Sequence, residues 1–351
     1  MLFKDREFIE SKEGLIFCVV GYVHPRDRVI AYLKYLPSSE GKWSSGSTNY
    51  NRAMKYYSAS EVVKNIYWLE KHYRQYIFNS KIFGFKMSAV PRRYILKHHI
   101  PQEGLEEIRK RGPQDPLEQK ALDLVDLLSE RSRTPKCFFG ITGSILLGIH
   151  NPSFSDIDLI VYGREQSAKV REALLSLYEE GSSDLKRLQG VLLEKWCQEK
   201  AEAYPVSISE AAAIYARKWN YALYRGTAFS IHPTRLDQEV RFKYGLERFR
   251  SLGFARIKAK VKTVVEDLYS PYIYELTDVE VEEGTPSRSI YEVVSYEGFY
   301  GVLKEGERVA AYGKVEEVQS TAGRHHLRML IGSPEAGGRD FLKPLDLYTT
   351  K

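Results

Sequence analysis

The stretch GITGSILLGIHNPSFSDIDLIVYG, residues 140–163, places eleven residues between Gly143-Ser144 and Asp156 and leaves one residue between Asp156 and Asp158. KCFFGIT (136–142) leads in as a strand, DIDLIVYG (156–163) leads out as another, and REQSAKVREALLSLYEE (164–180) follows with helical spacing. Side chains two apart on a strand share a face, so Asp156 and Asp158 point together while Ile157 turns to the opposite, buried side. Two carboxylates so placed repel each other unless a cation lies between them. Hard oxygen donors suit Mg²⁺ or Mn²⁺, with water and substrate phosphates completing the shell. Upstream, Gly143 lacks the Cβ that would keep a phosphate off the backbone. Ser144 adds a hydroxyl and an N–H at the start of SILLGI, so the pair reads as a phosphate cradle. Eleven residues are enough for a short helix and a returning loop that bring cradle and carboxylates face to face.

Gly143-Ser144, eleven residues, then Asp156-Ile157-Asp158-Leu159 resembles the signature of the DNA polymerase β-like nucleotidyltransferase superfamily, which includes CCA-adding enzymes, poly(A) polymerases and antibiotic nucleotidyltransferases. With the His24-Pro25 turn and the late FSIHP (229–233), the chain is also similar to archaeal proteins described only as predicted nucleotidyltransferases. The resemblance implies transfer of a nucleoside monophosphate from an NTP to an acceptor hydroxyl on RNA, tRNA or DNA, with release of pyrophosphate. It assigns Asp156 and Asp158 to the metal and to catalysis, and Gly143 and Ser144 to the β- and γ-phosphates. The superfamily usually adds a third carboxylate from a later strand, often as the base. In this chain that strand is TAFSIHP (227–233), which contains no acid. Ala228, Ser230 and His232 share one of its faces, so Ser230 or His232 takes the acidic place, and His232 is the expected catalytic stand-in. Asp237 and Glu239 reach in only under a different register. Lys218 and Arg225, near this strand in sequence, are the expected triphosphate contacts. The missing acid supports an alternative, a nucleic-acid-binding protein whose nucleotidyltransferase domain binds nucleotide without turning it over.

The 351 residues, 43% hydrophobic and 28% charged, describe a soluble protein with more than one core. A multidomain α+β chain is expected: a basic N-terminal α+β domain (1–112), a polymerase β-like nucleotidyltransferase α/β core (113–253) and an OB-like β-barrel (254–351). No apolar run approaches the length of a membrane span, and MLFKDREFIESKEG lacks the apolar stretch of a secretory signal, so a cytoplasmic protein without membrane contact is expected. Cys18, Cys137 and Cys197 are too scattered for a disulfide framework and read as small buried hydrophobes. The net charge of +6 divides into +9, 0 and −3 over the three segments, so a polyanion is drawn first to the N-terminal end, which also carries ten tyrosines.

Within the first segment, residues 15–36 read as a hairpin around His24-Pro25-Arg26-Asp27, 38–51 as a mobile loop, and 59–73 as a helix capped by Ser60. Asp115, Pro116 and Glu118 mark the start of the next helix as N-cap, first position and capping-box partner. After Gly253 come five strand candidates. EGERVAAYGKVEEV (305–318) resembles an OB-fold barrel, on which Tyr272, Tyr274, Tyr296, Phe299, Tyr300 and Tyr312 are candidates for stacking on bases.

Overall fold

The computed structural model describes residues 2–55, 58–284, 286 and 289–345. Residues 1–112 form β1 (Phe8–Ser11), β2 (Ile16–Val19), β3 (Arg28–Pro37), β4 (Trp43–Ser45), β5 (Thr48–Arg52), α1 (Ala59–His72), β6 (Ile77–Asn79), β7 (Lys86–Pro91), β8 (Ile95–His99) and α2 (Pro101–Arg111). Next come α3 (Pro116–Ser132), β9 (Phe139–Thr142), α4 (Gly143–Leu146), β10 (Ile157–Tyr162), α5 (Arg164–Glu179), β11 (Leu185–Lys186), α6 (Gly190–Ala203), α7 (Ile208–Arg217), β12 (Tyr221–Tyr224) and β13 (Thr227–Thr234). The chain continues through β14 (Glu247–Glu266), β15 (Tyr272–Glu283), β16 (Ile290–Ser295), β17 (Arg308–Ser320), β18 (His325–Ile331) and β19 (Phe341–Pro344). The fold is α+β. Two compact units share the chain by turns: Met1–Ala53, Val90–Gln189 and Trp219–Arg241 make the first, and Met54–Ala89, Gly190–Lys218 and Phe242–Lys351 the second.

In the first unit one sheet runs β4-β5-β3-β2-β1-β8. The β2–β3 hairpin forms where the sequence places it, with Val19 opposite Ala31. Residues 38–51, expected as a loop, instead contribute β4 and β5. Trp43 packs edge-on against the buried Tyr35 at 5.8 Å and against Phe154 at 5.7 Å, and these ring contacts anchor β4 despite the Ser/Gly composition around it. The second sheet runs β11-β12-β13-β10-β9, with β10 antiparallel to β9 and parallel to β13. Ile157, Leu159 and Val161 turn to one face of β10 and join Leu124, Val125 and Leu128 of α3 and Val170 and Leu174 of α5 in one core. Each such side chain contributes roughly 1.5–3 kcal/mol on burial.

Helix α3 starts as expected, Asp115 accepting from the amides of Leu117 (2.8 Å) and Glu118 (3.1 Å) with Pro116 at the first position. Glu118 does not close a capping box. Its carboxylate takes the guanidinium of Arg111 and the amide of Gln114, a charge-assisted fork that outcompetes a single neutral N–H.

In the second unit β14-β15-β16-β18-β17 return on themselves, because β14 also pairs with β17, and β19 adds to β17. β16 and β18 are parallel and the other pairings antiparallel. Gly253, read as a boundary, lies inside β14, where a φ of +92° accommodates a register shift between Ser251 and Phe254. Helix α1 begins one residue before Ser60, so Ser58 holds the N-cap position, without a side-chain cap bond. Cys18 and Cys197 are buried, but Cys137 is exposed in the turn before β9. Among the described residues no helix is long and apolar enough to cross a membrane.

Candidate functional site

The β9–α4 corner and the start of β10 meet at one point of the second sheet. Asp158 lies opposite Thr142, the last residue of β9, in the antiparallel ladder. Gly143 follows with φ +68°, and a Cβ built there would stand 2.5 Å from Asp158 Oδ2. The glycine is therefore required by the carboxylate itself, a closer constraint than the phosphate approach read from sequence. Ser144 is buried beside it. The returning loop is held by its own polar groups: the Ile149 amide donates to the Ser144 carbonyl (3.0 Å), and the Asn151 amide to Ser155 Oγ (3.0 Å). Asp156 then immediately precedes β10, next to Asp158.

Across the parallel pairing Asp158 faces Ser230, and Ile160 faces His232. The Ser230 hydroxyl donates to Asp158 Oδ1. His232 Nε2 lies 2.8 Å from Ser230 Oγ and 3.6 Å from Asp158 Oδ1. A serine has one proton, and here the carboxylate receives it, so the contact between the imidazole and the serine oxygen requires the proton on Nε2. The three groups form a relay aimed at Asp158.

The Asp158 charge, and then burial, push the Asp156 carboxyl up to about 6, against the pull of Arg52 and Lys34. Burial opposes ionisation of Asp158 as well. The ring of His232, the charge of Lys34 and the Ser230 hydroxyl outweigh it and hold that carboxyl well below the usual range. Burial, with the charge of Arg6, lowers His232 to about 4, so the ring is neutral at pH 7. Asp237 and Glu239 are engaged elsewhere. Asp237 pairs with Lys4 at 2.6 Å, and Glu239 accepts from the amides of Arg164 (2.9 Å) and Leu236 (3.0 Å).

The two expected phosphate contacts have other partners. Arg225 sits in the β12–β13 turn, its guanidinium in ion pairs with Asp123 (2.6 Å) and Asp184 (2.9 Å). Lys218 belongs to the second unit, where Nζ donates to the Gly298 carbonyl at 2.5 Å. The cations that do act on the carboxylates come from the first sheet and its edge. Lys34 and Arg52 reach Asp156 electrostatically, Lys34 also reaches Asp158, and Arg6 reaches Asp158 and His232. Arg6 has a left-handed backbone, φ 68°, and its carbonyl accepts from Thr142 Oγ1 at 2.7 Å, which ties it to the residue before Gly143. Lys34 is only 6% exposed, with Nζ over the Phe8 ring at 5.2 Å. The only signal of these residues in the sequence is the basic surplus of the first segment.

Asp115, Glu118 and His150 also bring ligand-type atoms within 4.8 Å of one another. Each is already committed there, Asp115 to the helix cap and to His150, and Glu118 to Arg111. No protein-family model and no solved structure matches the chain. The chain is 29% identical over 357 residues to the uncharacterized protein MJ1086 of Methanocaldococcus jannaschii, with 98% of this chain and 99% of that protein covered.

Proposed function

We propose that this protein is a nucleotidyltransferase that moves a nucleoside monophosphate from an NTP to an acceptor on RNA, tRNA or DNA, with pyrophosphate leaving. The observation that carries the reading is the close approach of Gly143 to Asp158: a Cβ at the glycine would stand 2.5 Å from Asp158 Oδ2. The donor set fits a hard divalent cation, because two carboxylates lie side by side and one is pushed up by the other's charge. Asp156 and Asp158 would hold Mg²⁺ or Mn²⁺, which when bound neutralises phosphate charge. Gly143 and Ser144 receive the β- and γ-phosphates, while Ser230 and His232 fix the orientation of Asp158. Arg6, Lys34 and Arg52 take the phosphate-facing role expected of Lys218 and Arg225. The closed five-strand order in the second unit, with parallel β16 and β18, supports an OB-type barrel, and the second sheet a polymerase β-like core.

The test is calorimetry of each NTP with Mg²⁺ or Mn²⁺, followed by incorporation of labelled NTP. Asp156→Ala combined with Asp158→Ala is expected to abolish both, and unchanged binding in that variant would sink the reading. A second reading, nucleotide binding without turnover in a nucleic-acid-binding protein, is favoured by Ser230 and His232 in the third acidic place. Metal-dependent binding with no incorporation into any acceptor would select it.

A further inference from the structure

Resting on that reading, we infer that Trp43 and Phe154, together with Arg52, form a stacking site for a nucleobase beside the paired carboxylates. Trp43 lies opposite Tyr50 in the β4–β5 ladder, and Arg52 lies opposite Tyr35 in the β3–β5 ladder. Residues paired across a ladder share a face, as do residues two apart on a strand, so all four project from the same side of the first sheet. That side receives the loop between α4 and β10. The Ser44 amide donates to the Ile149 carbonyl at 3.3 Å, and Ile149 is buried in one core with Tyr35 and Tyr50. Further along the same loop the Phe154 ring meets the Trp43 ring at 5.7 Å, nearly perpendicular at 88°. The loop is thus held at two points by the β4–β5 hairpin, and Phe154 stands two residues before Asp156.

The two tyrosines are buried, but the groups nearer Asp156 are open. Phe154 is 52% exposed, Arg52 is exposed and Trp43 is half-buried. The Arg52 guanidinium lies over the Trp43 ring at 4.7 Å, and its charge also favours the ionised form of Asp156. One cation therefore serves both the aromatic pair and the carboxylate, which puts ring surface and phosphate site within the span of one side chain. A nucleotide has the same layout, a flat base and a charged phosphate at two ends of one sugar. Stacking is the contact that open rings offer a base, and it accepts any of the four because each has a π-face. Phe154 is braced by a perpendicular neighbour before any base arrives, so little ordering is left to offset the stack. The base has two sources, the NTP and the end nucleotide of a polynucleotide acceptor.

Calorimetry with Mg²⁺ measures binding of inorganic tripolyphosphate, ATP and a short single-stranded RNA with hydroxyl ends to the full chain, as the parent and as Phe154→Ala. The substitution is expected to weaken ATP or the RNA by about 5–150-fold and to leave tripolyphosphate, which has no base, unchanged. Weaker ATP assigns the site to the base of the NTP, and weaker RNA alone assigns it to the acceptor. Phe154→Tyr, which keeps a ring, should restore the affinity. Trp43→Phe is read by fluorescence: the ligand that Phe154→Ala weakens should quench the emission of the parent and quench that of Trp43→Phe much less, at similar affinity. Equal affinity of parent and Phe154→Ala for both ATP and RNA overturns the inference. So does a loss of tripolyphosphate binding as large as the loss of ATP binding, since that marks a displaced Asp156 and not a lost stack. A parent that binds neither tripolyphosphate nor ATP overturns the underlying reading, and the inference with it.

Discussion

Gly143 has two reasons to be glycine, and they add. Its φ of +68° strains any side-chain-bearing residue, and a Cβ there would press on Asp158 Oδ2 at 2.5 Å. Gly143→Ala is therefore expected to cost about 1–3 kcal/mol in urea denaturation. It should also displace Asp158 from Ser230 and, under the proposed function, weaken metal-dependent nucleotide binding by about 10–100-fold. A variant as stable as the parent, binding equally well, would show that the close approach is not needed. At this scale the meeting of Gly143 with Asp158 was legible, because both lie within sixteen residues on one strand-turn-strand stretch. Arg6 and Lys34 were not legible: they arrive from more than a hundred residues away and carry no local pattern. Nearness in sequence to β13 did not reveal the partners of Lys218 and Arg225 either, the Gly298 carbonyl for the first and Asp123 and Asp184 for the second.

Helix α3 packs Leu124, Val125 and Leu128 onto the face of β10 opposite Asp158, so its start helps hold the strand that carries the site. Asp115 anchors that start with two backbone bonds and also binds His150 Nε2 at 2.7 Å, in the loop that returns to Asp156. Burial works to raise the Asp115 carboxyl, but the bond to His150 and the cap bonds prevail and lower it. Glu118 is lowered in the same way by Arg111 and the Gln114 amide. A carboxyl lower in the folded chain than in the unfolded one adds stability above its unfolded pKa, and that stability is lost as pH falls through the folded value. Asp115→Ala is thus expected to cost about 1 kcal/mol at pH 7. The difference from the parent should shrink as pH falls below about 4, the ordinary Asp range. Denaturation curves at pH 7, 5 and 3 check this, and a cost that stays constant with pH would remove the carboxylate from the account. This helix start was legible because cap, proline and acid are local, whereas β4, β5 and β12 were not, since their strands form on partners the sequence does not reveal.

For the whole molecule, three sheets follow three stretches of sequence, but compactness does not follow the same cuts. The second unit gathers Met54–Ala89 and Gly190–Lys218 with the C-terminal strands, a pairing visible only in contacts between residues far apart in the chain. The consequence can be tested by truncation at Gly253. A fragment 254–351 keeps most of the five-strand ring but loses Glu247–Ser251, which pair with Glu316–Ser320. It also loses Phe249, whose ring stacks on Phe83 at 5.6 Å and 3° on one side and takes the Arg328 guanidinium at 3.8 Å. Arg328 is 8% exposed and bonds Glu316, which in turn sits 3.3 Å from the fully buried Lys314. Without Phe249 and the Phe85 ring 5.1 Å from Lys314 Nζ, these charges lose their apolar cover. A small domain is stable by only about 5–15 kcal/mol, and the lost strand and aromatic cover draw on the same margin. The fragment 254–351 is therefore expected to lack the dispersed amide spectrum of a folded barrel. The fragment 242–351, which restores the strand but not Phe83 or Phe85, should show a cooperative but lowered melting transition. A fully dispersed spectrum and a cooperative transition for 254–351 would show that the ring is self-sufficient and that the 54–89 segment only decorates it.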